Sequence, residues 1–553
     1  MTEAIATCGL IIAEGSADAV THGMQALDYI VVICYISVII WIGTHFAKKQ
    51  NTTEEYFAGG RSMPGWAVGL SVMATSISSV TFLAYPGEGF MGNWIRLVQG
   101  FMLPIVIVCI AWFIVPCYRS VIGLSAYEYF EKRFGLFARI YNSLAFMLVH
   151  FSKMGTVFFL LALALAKMTG LSGYTWGTYS VVIALGIFTI LYTLIGGIEA
   201  VIWTDVLQGC ILIGGGLVCV GVLLFGQSGG PSEVFSMAIS EHKMSLGSMN
   251  FDFTKLTFIV MALNGIFWSI QKYGTDQVVV QRFLVAKSDK QAVRAVIFGA
   301  FLCIPVWLIF MFIGTGLWAY YRITQLNLPA DIKAEEVFPL FIMTQLPPGI
   351  TGLILAALTS AAMSSLDSDL NCLAAIGVED YYKRFKPRCT DRECLSMGRI
   401  TVCISGLLAI GVACIYIYYG SQGILGIIFT VYSIFSGGIA GMFILAFFFP
   451  RANKQGLYFG IAACVLFTAY AMLTSQPFTV EGQKKLLLDL NSMFSVGWLN
   501  FPHHKYMIGV YNHIVLLVVG YVASLFFHAE RPAKNLTVYG WLEKHARSRS
   551  PKE

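Results

Sequence analysis

Long apolar runs follow one another through most of this 553-residue chain, and they constrain its fold more than any other feature. A run of about 20 apolar residues can cross the hydrocarbon core of a bilayer as a helix. Charged residues make up only 12% of the sequence, about half the share found in soluble domains. A membrane β-barrel would need alternating apolar and polar residues, whereas these runs are continuous. We therefore predict an all-α polytopic membrane protein.

The apolar windows predict about thirteen transmembrane helices, an odd number that places the chain ends on opposite sides of the membrane. Lys and Arg concentrate in alternate loops, for example at Lys132, Arg282 and Lys383, which is typical of the cytoplasmic side. We therefore expect the N-terminus outside and the C-terminus in the cytoplasm. The predicted helices lie near 27–46, 64–84, 94–117, 135–168, 174–195, 198–225, 256–277, 291–321, 349–382, 394–418, 423–449, 455–474 and 507–528. The predicted regions are an extracellular segment (1–26), a transmembrane domain (27–528) and a basic cytoplasmic tail (529–553).

The window at 349–382 carries oxygen-bearing side chains inside an apolar span. Acidic residues at membrane depth are costly and generally mark the path of an ion or a substrate. Helical spacing places several small and hydroxyl residues on one face, with the Asp367 carboxylate within a turn. Oxygen ligands without Cys or His suit hard cations, so the pattern predicts a sodium site. The alternative is that the small residues only allow close helix packing. The face consists of Ala361, Ser364, Ser365 and Ser368.

Two windows are interrupted by polar residues in a way that is typical of broken helices. The segment 74–79 is dense in small and hydroxyl residues, and the segment 264–282 is polar in its second half around Gly274. A helix that unwinds at mid-membrane frees backbone carbonyls to bind a cation. Corresponding breaks in two halves indicate an inverted repeat, here about 64–225 and 256–449, with a binding site between them. The alternative for 74–79 is a packing face whose hydroxyls bond back to the preceding turn.

Three further residues are polar at predicted membrane depth: Asp205, His150 and Lys153. Asp205 and Asp367 are the two acids that we expect at membrane depth, with Asp205 near the start of its helix. Lys153 lies three residues after His150, so the two share a helix face. The Lys153 ammonium has three interpretations: it faces a carboxylate partner, binds an anionic solute, or extends to the membrane surface. His150 is interpreted as a hydrogen-bonded packing residue.

Six stretches resemble the sodium/solute symporter family, and the likeness is spread over roughly 28–470. The chain looks most similar to the bacterial sialic acid symporter branch, and it is also similar to the sodium/galactose transporters. The resemblance implies a leucine-transporter-like fold of five plus five inverted helices. The stretches are EEYFAGGRSMPGWAVGLSVMATSISSVTF (54–82), SAYEYFEKRF (125–134), LYTLIGGIEAVIWTDVLQG (191–209), DQVVVQRFLVAKS (276–288), AALTSAAMSSLDSDLN (356–371) and PRANKQG (450–456).

The resemblance also implies two ion sites. A second site would involve Asp205 and Ser368, with Asp367 where the sialic acid branch has a serine. The added carboxylate suits either a second sodium ion or a proton. The first sodium site would take backbone carbonyls at the break and hydroxyls from the 349–382 helix, at Ala74, Ile77, Ala361, Ser364 and Ser365.

The resemblance further implies a solute site between the broken helices. Lys153 stands where the sialic acid branch has a carboxylate-binding Arg, and Lys is a point charge rather than a bidentate fork. Tyr273 aligns near the inner aromatic gate of the family. The implied solute contacts are Ser76, Ser78, Thr81, Gln99, Lys153 and Gln271.

These observations predict a sodium-coupled symporter in the cell membrane that imports sialic acid or another sugar acid by alternating access. A neutral sugar or polyol is the alternative solute. No GxxxxGK[ST] motif is present, so we expect no ATP and gradient-driven transport. Three other classes are disfavoured. The sequence shows no effector domain for a non-transporting sensor, no filter motif for a channel and no nucleophile motif for an enzyme. We expect no nucleic-acid partner and a functional monomer.

Overall fold

Helices form almost all of the regular structure, because backbone groups in a bilayer must be satisfied within their own segment. The computed structural model describes residues 24–47, 52–329, 332–419, 436–475, 477–480, 483–486, 488–528, 532 and 534–549. Most of the predicted extracellular segment and the first part of the predicted helix 423–449 lie outside these residues, as do parts of the basic tail.

The long helices agree closely with the predicted windows, since a continuous apolar run marks a membrane helix clearly. Most of the short helices between them were not predicted. The described residues form 21 α-helices in all. They are α1 (Ala26–Ala47), α2 (Thr53–Ala58), α3 (Gly65–Ser76), α4 (Ser79–Met91), α5 (Leu97–Val121), α6 (Tyr127–Phe134), α7 (Leu136–Met168), α8 (Gly177–Phe225), α9 (Gly230–Ser240), α10 (Phe258–Gly274), α11 (Gln277–Val285), α12 (Asp289–Ile323), α13 (Ala334–Gln345), α14 (Ile350–Ile376), α15 (Lys383–Phe385), α16 (Asp391–Tyr419), α17 (Ile439–Phe448), α18 (Lys454–Ser475), α19 (Leu490–Phe494), α20 (Lys505–Ser524) and α21 (Val538–Arg549). A π-helical turn (Gly377–Tyr382) joins α14 to α15, and one antiparallel hairpin pairs β1 (Pro477–Val480) with β2 (Gln483–Leu486).

Within the described ranges, nine helices are long and apolar enough to cross a membrane. The pair α3 and α4 makes a tenth span if it is counted as one helix that bends by 58°. α8 contains a further break at Gly197, where φ is 58° and ψ is −166°. A residue with a Cβ rarely adopts this conformation, so glycine allows two predicted helices to meet here with no loop.

α14 lies at the centre of the helix packing. It contacts α8, α1, α16 and α7, and also the broken pair α3 and α4. All side chains from 354 to 376 are buried, so the polar residues of α14 face other helices rather than lipid. The outer helices instead expose large apolar side chains, such as Trp41, Trp112 and Leu407, as lipid-facing surfaces do.

α12 holds the broken pair in place by close backbone contact. It packs along α3, α4 and α5. Gly314 on α12 lies so close to α4 that an added Cβ would be 2.1 Å from the Pro86 carbonyl oxygen and 2.9 Å from the Gly89 Cα. Small residues allow such close approach of membrane helices.

We therefore expect Gly314→Ala to lower the free energy of unfolding by about 1–3 kcal/mol, because the backbone atoms it meets cannot rotate away. Thermal unfolding of the detergent-purified protein measures the effect. The control is Gly221→Ala on α8, where an added Cβ meets no atom within 4 Å. This control should raise stability slightly, by about 0.5–1 kcal/mol, through the helix preference of Ala. Equal melting temperatures for the two variants would contradict the packing argument.

Candidate functional site

The break between α3 and α4 is formed by two extended residues. Ile77 has φ −103° and ψ 125°, and Ser78 has φ −126° and ψ 175°. Two hydroxyls near the break bond back to the preceding turn, as the packing-face alternative predicts. Ser76 Oγ donates to the Val72 carbonyl and Thr75 Oγ1 donates to the Ser71 carbonyl. The break itself still turns backbone carbonyls toward α14.

A cluster of five oxygens forms where the break meets α14. Ser364 Oγ lies 3.2 Å from the Ala74 carbonyl oxygen and 3.4 Å from the Ala361 carbonyl oxygen. Ser365 Oγ lies 3.5 Å from the Ile77 carbonyl oxygen. The structure therefore brings together all five residues that the sequence predicts for the first sodium site.

The donor set of this cluster fits a monovalent hard cation. Three carbonyls and two hydroxyls supply oxygen ligands without a formal charge, which are sufficient for sodium, whereas a divalent ion favours carboxylate ligands. The 3.5 Å between Ser365 Oγ and the Ile77 oxygen exceeds an ordinary O–H···O bond. A cation of calcium's size binds oxygen at roughly 2.3–2.6 Å, so its neighbouring ligands stand about 3.3–3.7 Å apart. Sodium has nearly the same ionic radius, so the spacing suits it.

A buried guanidinium lies within the second predicted ion site. Arg282 Nη2 is 3.0 Å from Asp205 Oδ2 and 2.5 Å from Ser368 Oγ, and Arg282 Nε is 3.0 Å from Ser71 Oγ. Both members of the Arg282–Asp205 pair have fully buried side chains. The prediction that Arg282 is a basic loop residue is wrong. Arg282 lies in α11, whose residues are all buried, and it compensates the charge of Asp205.

Asp367 points to a different partner from Asp205. Tyr192 on α8 donates to Asp367 Oδ2 at 2.8 Å, and Ser368 Oγ is 3.3 Å from Asp367 Oδ1. Asp205 Oδ1 is buried and has no hydrogen-bond partner in the described part of the chain. With both carboxylates ionised, Asp205, Asp367 and Arg282 sum to one negative charge. A buried negative charge of this kind favours the binding of one further cation. Asp205 Oδ1 is available as a ligand for it.

A cavity of about 310 Å³ lies beside the break, among α3, α7 and α10. Ser76 and Ser78 line it on either side of Ile77, whose carbonyl belongs to the sodium cluster. Lys153 and Gln271 line it from the other helices. Aromatic rings of Trp268 and Phe146 and the side chains of Tyr127, Asn142, His150, Lys272 and Asp276 complete much of the wall. This volume is at the lower end of the range for small-molecule sites, so it suits a small polar solute.

Three of the predicted solute or gate residues do not line this cavity. Thr81 is buried on α4, and Gln99 on α5 meets Gly265 of α10 through its backbone. Tyr273 on α10 is fully buried.

Five ionisable side chains form a chain of contacts along one side of the cavity. Asp369 binds Lys153 and His150, and Asp276 binds Lys272 while lying 3.7 Å from the other His150 nitrogen. Of the three interpretations of Lys153, the structure therefore provides the carboxylate partner. The sequence alone predicts no site role for Asp369, Lys272, Asp276 or Arg282. The i, i+4 spacing of Lys272 and Asp276 was a usable signal, whereas the other pairs are distant in sequence.

Comparisons with known proteins show what the chain as a whole is similar to. Residues 56–463 match the model of the Sodium:solute symporter family. The sodium/sialic acid symporter NanT of Aliivibrio fischeri is 31% identical over 505 residues, covering 91% of this chain and 93% of that protein. The sodium/glucose cotransporter of Vibrio parahaemolyticus is 28% identical over 503 residues, covering 85% and 90%. The solved structure of a Na+-coupled sialic acid symporter, substrate-bound and outward-open, has a TM-score of 0.81 at 28% identity, covering 92% of this chain and 100% of that one.

We expect Arg282→Met to lower the free energy of unfolding by about 3–5 kcal/mol, because it leaves the buried Asp205 carboxylate uncompensated. The double variant with Asp205→Asn should lose clearly less than the sum of the single variants, since both charges are then absent. Thermal unfolding of the four proteins of this cycle measures the coupling.

The control for this cycle is Arg61→Met, which breaks an ion pair with Glu54 at the protein surface. It should cost only about 0–1 kcal/mol. Additive effects of Arg282→Met and Asp205→Asn would show that the two side chains do not depend on each other.

Proposed function

The chain belongs to the sodium:solute symporter family, and we propose that it imports a small polar solute by alternating access, driven by the inward movement of sodium ions. The relatives are sodium-coupled transporters rather than enzymes. The observation that carries the proposal is the meeting of Ser364 and Ser365 with the carbonyls of Ala74 and Ile77, directly beside the cavity.

Sodium binding would fasten the broken helix to α14. Two of the oxygens that bind it come from the α3–α4 break and three from α14, so the ion joins the two elements. Ser76 and Ser78 flank one of the sodium-binding carbonyls, so the same step fixes two solute contacts. This stabilises an outward-open state that is ready for the solute. Rocking of the bundle then opens the site to the cytoplasm and releases both.

The electrical component of the driving force follows from the number of ions. Each sodium ion that moves down a potential of 100 mV supplies about 2.3 kcal/mol. One sodium ion at the Ser364/Ser365 cluster therefore gives a single such contribution. A second cation at Asp205, Asp367 and Ser368 would double it, and the surplus negative charge of that group supports either a second sodium ion or a proton.

The finer architecture is also part of the proposal. We infer five plus five inverted helices, with repeats at about 64–225 and 256–449, within about thirteen spans. The two helices joined at Gly197 and the short α10 support a number above ten. We further infer a bacterial inner-membrane location, an outward N-terminus, a cytoplasmic tail and a functional monomer.

The class of solute depends on the role of Lys153. The carboxylate of a sugar acid such as sialic acid would bind the Lys153 ammonium, and NanT of Aliivibrio fischeri is named for that solute. A neutral sugar or polyol is the second candidate. The contact between Lys153 and Asp369 favours this second candidate, because the ammonium already has a carboxylate partner.

We expect Ser365→Ala to raise the sodium concentration for half-maximal uptake at least about tenfold. Loss of a hydrogen-bonding or ligand oxygen to a charged group costs about 1.5–3 kcal/mol, and 1.4 kcal/mol is a factor of ten. Uptake of labelled solute into proteoliposomes across a range of sodium gradients measures this change.

The matched control is Thr359→Ala, which removes a hydroxyl from the same helix. Thr359 lies six residues before Ser365, so it is on a different helix face. This control should keep the sodium dependence of the wild type. Unchanged sodium dependence in Ser365→Ala would rule out the assigned site.

A further inference from the structure

Asp369 lies behind Lys153 as seen from the cavity. The Lys153 side chain is 28% exposed, whereas the Asp369 side chain is 1% exposed. Lys153 Nζ is 3.1 Å from Asp369 Oδ1 and 3.0 Å from Oδ2, so the ammonium contacts both carboxylate oxygens. His150 Nδ1 is 2.8 Å from Oδ1. A solute can therefore reach the Lys153 ammonium but not the carboxylate that neutralises it.

Lys272 has the same kind of partner on the neighbouring wall. Its Nζ lies 2.6 Å from Asp276 Oδ2. The other oxygen, Asp276 Oδ1, accepts from the Val278 amide at 2.9 Å and so caps the start of α11. Because this hydrogen bond holds the carboxylate against the backbone, Asp276 cannot move away from Lys272 without losing the N-cap of α11.

The two lysines that line the cavity, Lys153 and Lys272, are thus each paired with a carboxylate of the protein. Lys153 and Lys272 contribute two positive charges, and Asp369 and Asp276 contribute two negative charges. With a neutral imidazole the sum is zero. A protonated His150 would add one positive charge, and that charge would lie between the Asp369 and Asp276 carboxylates. A solute anion that took Lys153 for itself would leave Asp369 buried with only His150 beside it, and an uncompensated buried charge is strongly unfavourable.

We propose that Asp369 is a built-in counter-ion that occupies the Lys153 ammonium and thereby selects solutes without a net negative charge. This inference rests on the proposed transport function and concerns the solute class of the same cavity. The Lys153 ammonium has three N–H donors, and its contacts with Asp369 leave at least one of them for a neutral acceptor such as a hydroxyl oxygen.

The remaining wall suits a neutral, hydroxyl-rich solute. The Asp276 side chain is 13% exposed and lines the cavity, so it can accept a hydrogen bond from a solute hydroxyl. The same carboxylate would repel a carboxylate on the solute. Ser78 and Gln271 can both donate and accept, and Ser76 Oγ, which donates to the Val72 carbonyl, can still accept. The Trp268 ring offers an apolar face for the C–H surface of a sugar ring. A carboxylate on the solute would have to compete with Asp369 for the Lys153 ammonium.

The first experiment compares solutes that share a carbon skeleton and differ in one carboxylate. The purified wild-type protein in sodium is tested by thermal shift against glucose and glucuronate, galactose and galacturonate, and N-acetylneuraminate and its methyl ester, with xylitol and mannitol as polyols. We expect stabilisation by at least one neutral solute, and none by its acidic partner at about tenfold higher concentration. A carboxylate that stabilises the protein more than its neutral partner overturns the proposal, and so does a panel in which no neutral solute stabilises it.

The second experiment removes the negative charge of Asp369 while keeping its shape. In Asp369→Asn the Lys153 ammonium loses its counter-ion, so affinity for the acidic member of the pair should rise at least about tenfold, while that for the neutral member changes by less than about threefold. Lys153→Gln in the same chain should abolish the gain. Equal weakening of both members would show that Asp369 only supports the fold.

The control for charge alone is Glu335→Gln, an exposed acid on α13 outside the cavity, and it should leave the preference unchanged. If Asp369→Asn does not fold, the wild-type comparison still decides the question. Failure of the transport proposal is separate: it would appear as solute binding that is insensitive to sodium, with or without Ser365→Ala. The preference between paired solutes does not depend on that result.

Discussion

The hydrocarbon core of a bilayer contains no water, so each polar group of this chain at membrane depth needs a partner within the protein. α14 concentrates such groups and is enclosed by other helices over residues 354–376. Its neighbours supply the partners: carbonyls from the α3–α4 break, a guanidinium from α11 and an ammonium from α7. The helices must therefore pack around α14 in the arrangement that also creates the candidate ion sites and the cavity.

The sequence was sufficient for those features that a single segment encodes. Apolar runs located most of the long helices, whereas short helices such as α2, α6 and α13 had no predicted window. The density of small and hydroxyl residues located the break and indicated the face with Ser364 and Ser365. It was insufficient for features that depend on pairs. Arg282 follows an apolar stretch and precedes a basic loop, so it looks like a loop residue, and its partner Asp205 is 77 positions away. Lys153 and Asp369 are separated by 216 positions. No local pattern identifies such partners.

The first oxygen cluster and the cavity meet within three consecutive residues, so coupling between them needs no long pathway. The Ile77 carbonyl belongs to the cluster, while the side chains of Ser76 and Ser78 line the cavity. Ile77 and Ser78 are extended, and their dihedral angles set both the direction of the carbonyl and the position of the hydroxyls. An ion that fixes this short stretch therefore also fixes part of the solute site, and a bound solute must favour the ion equally.

Charge balance links the two candidate ion sites to each other. The first cluster has no formal charge, so a bound sodium ion adds a positive charge to a buried region. Asp205, Asp367 and Arg282 sum to one negative charge when both carboxylates are ionised, and Asp367 lies within about one turn of Ser365 on α14. Sodium at the first cluster therefore favours the ionised state of Asp367, and the ionised carboxylate favours sodium. A proton on Asp367 would remove this attraction. Where sodium binds the first cluster as proposed, the charge of the acidic group therefore sets how strongly that ion is held, whether or not the group binds an ion of its own.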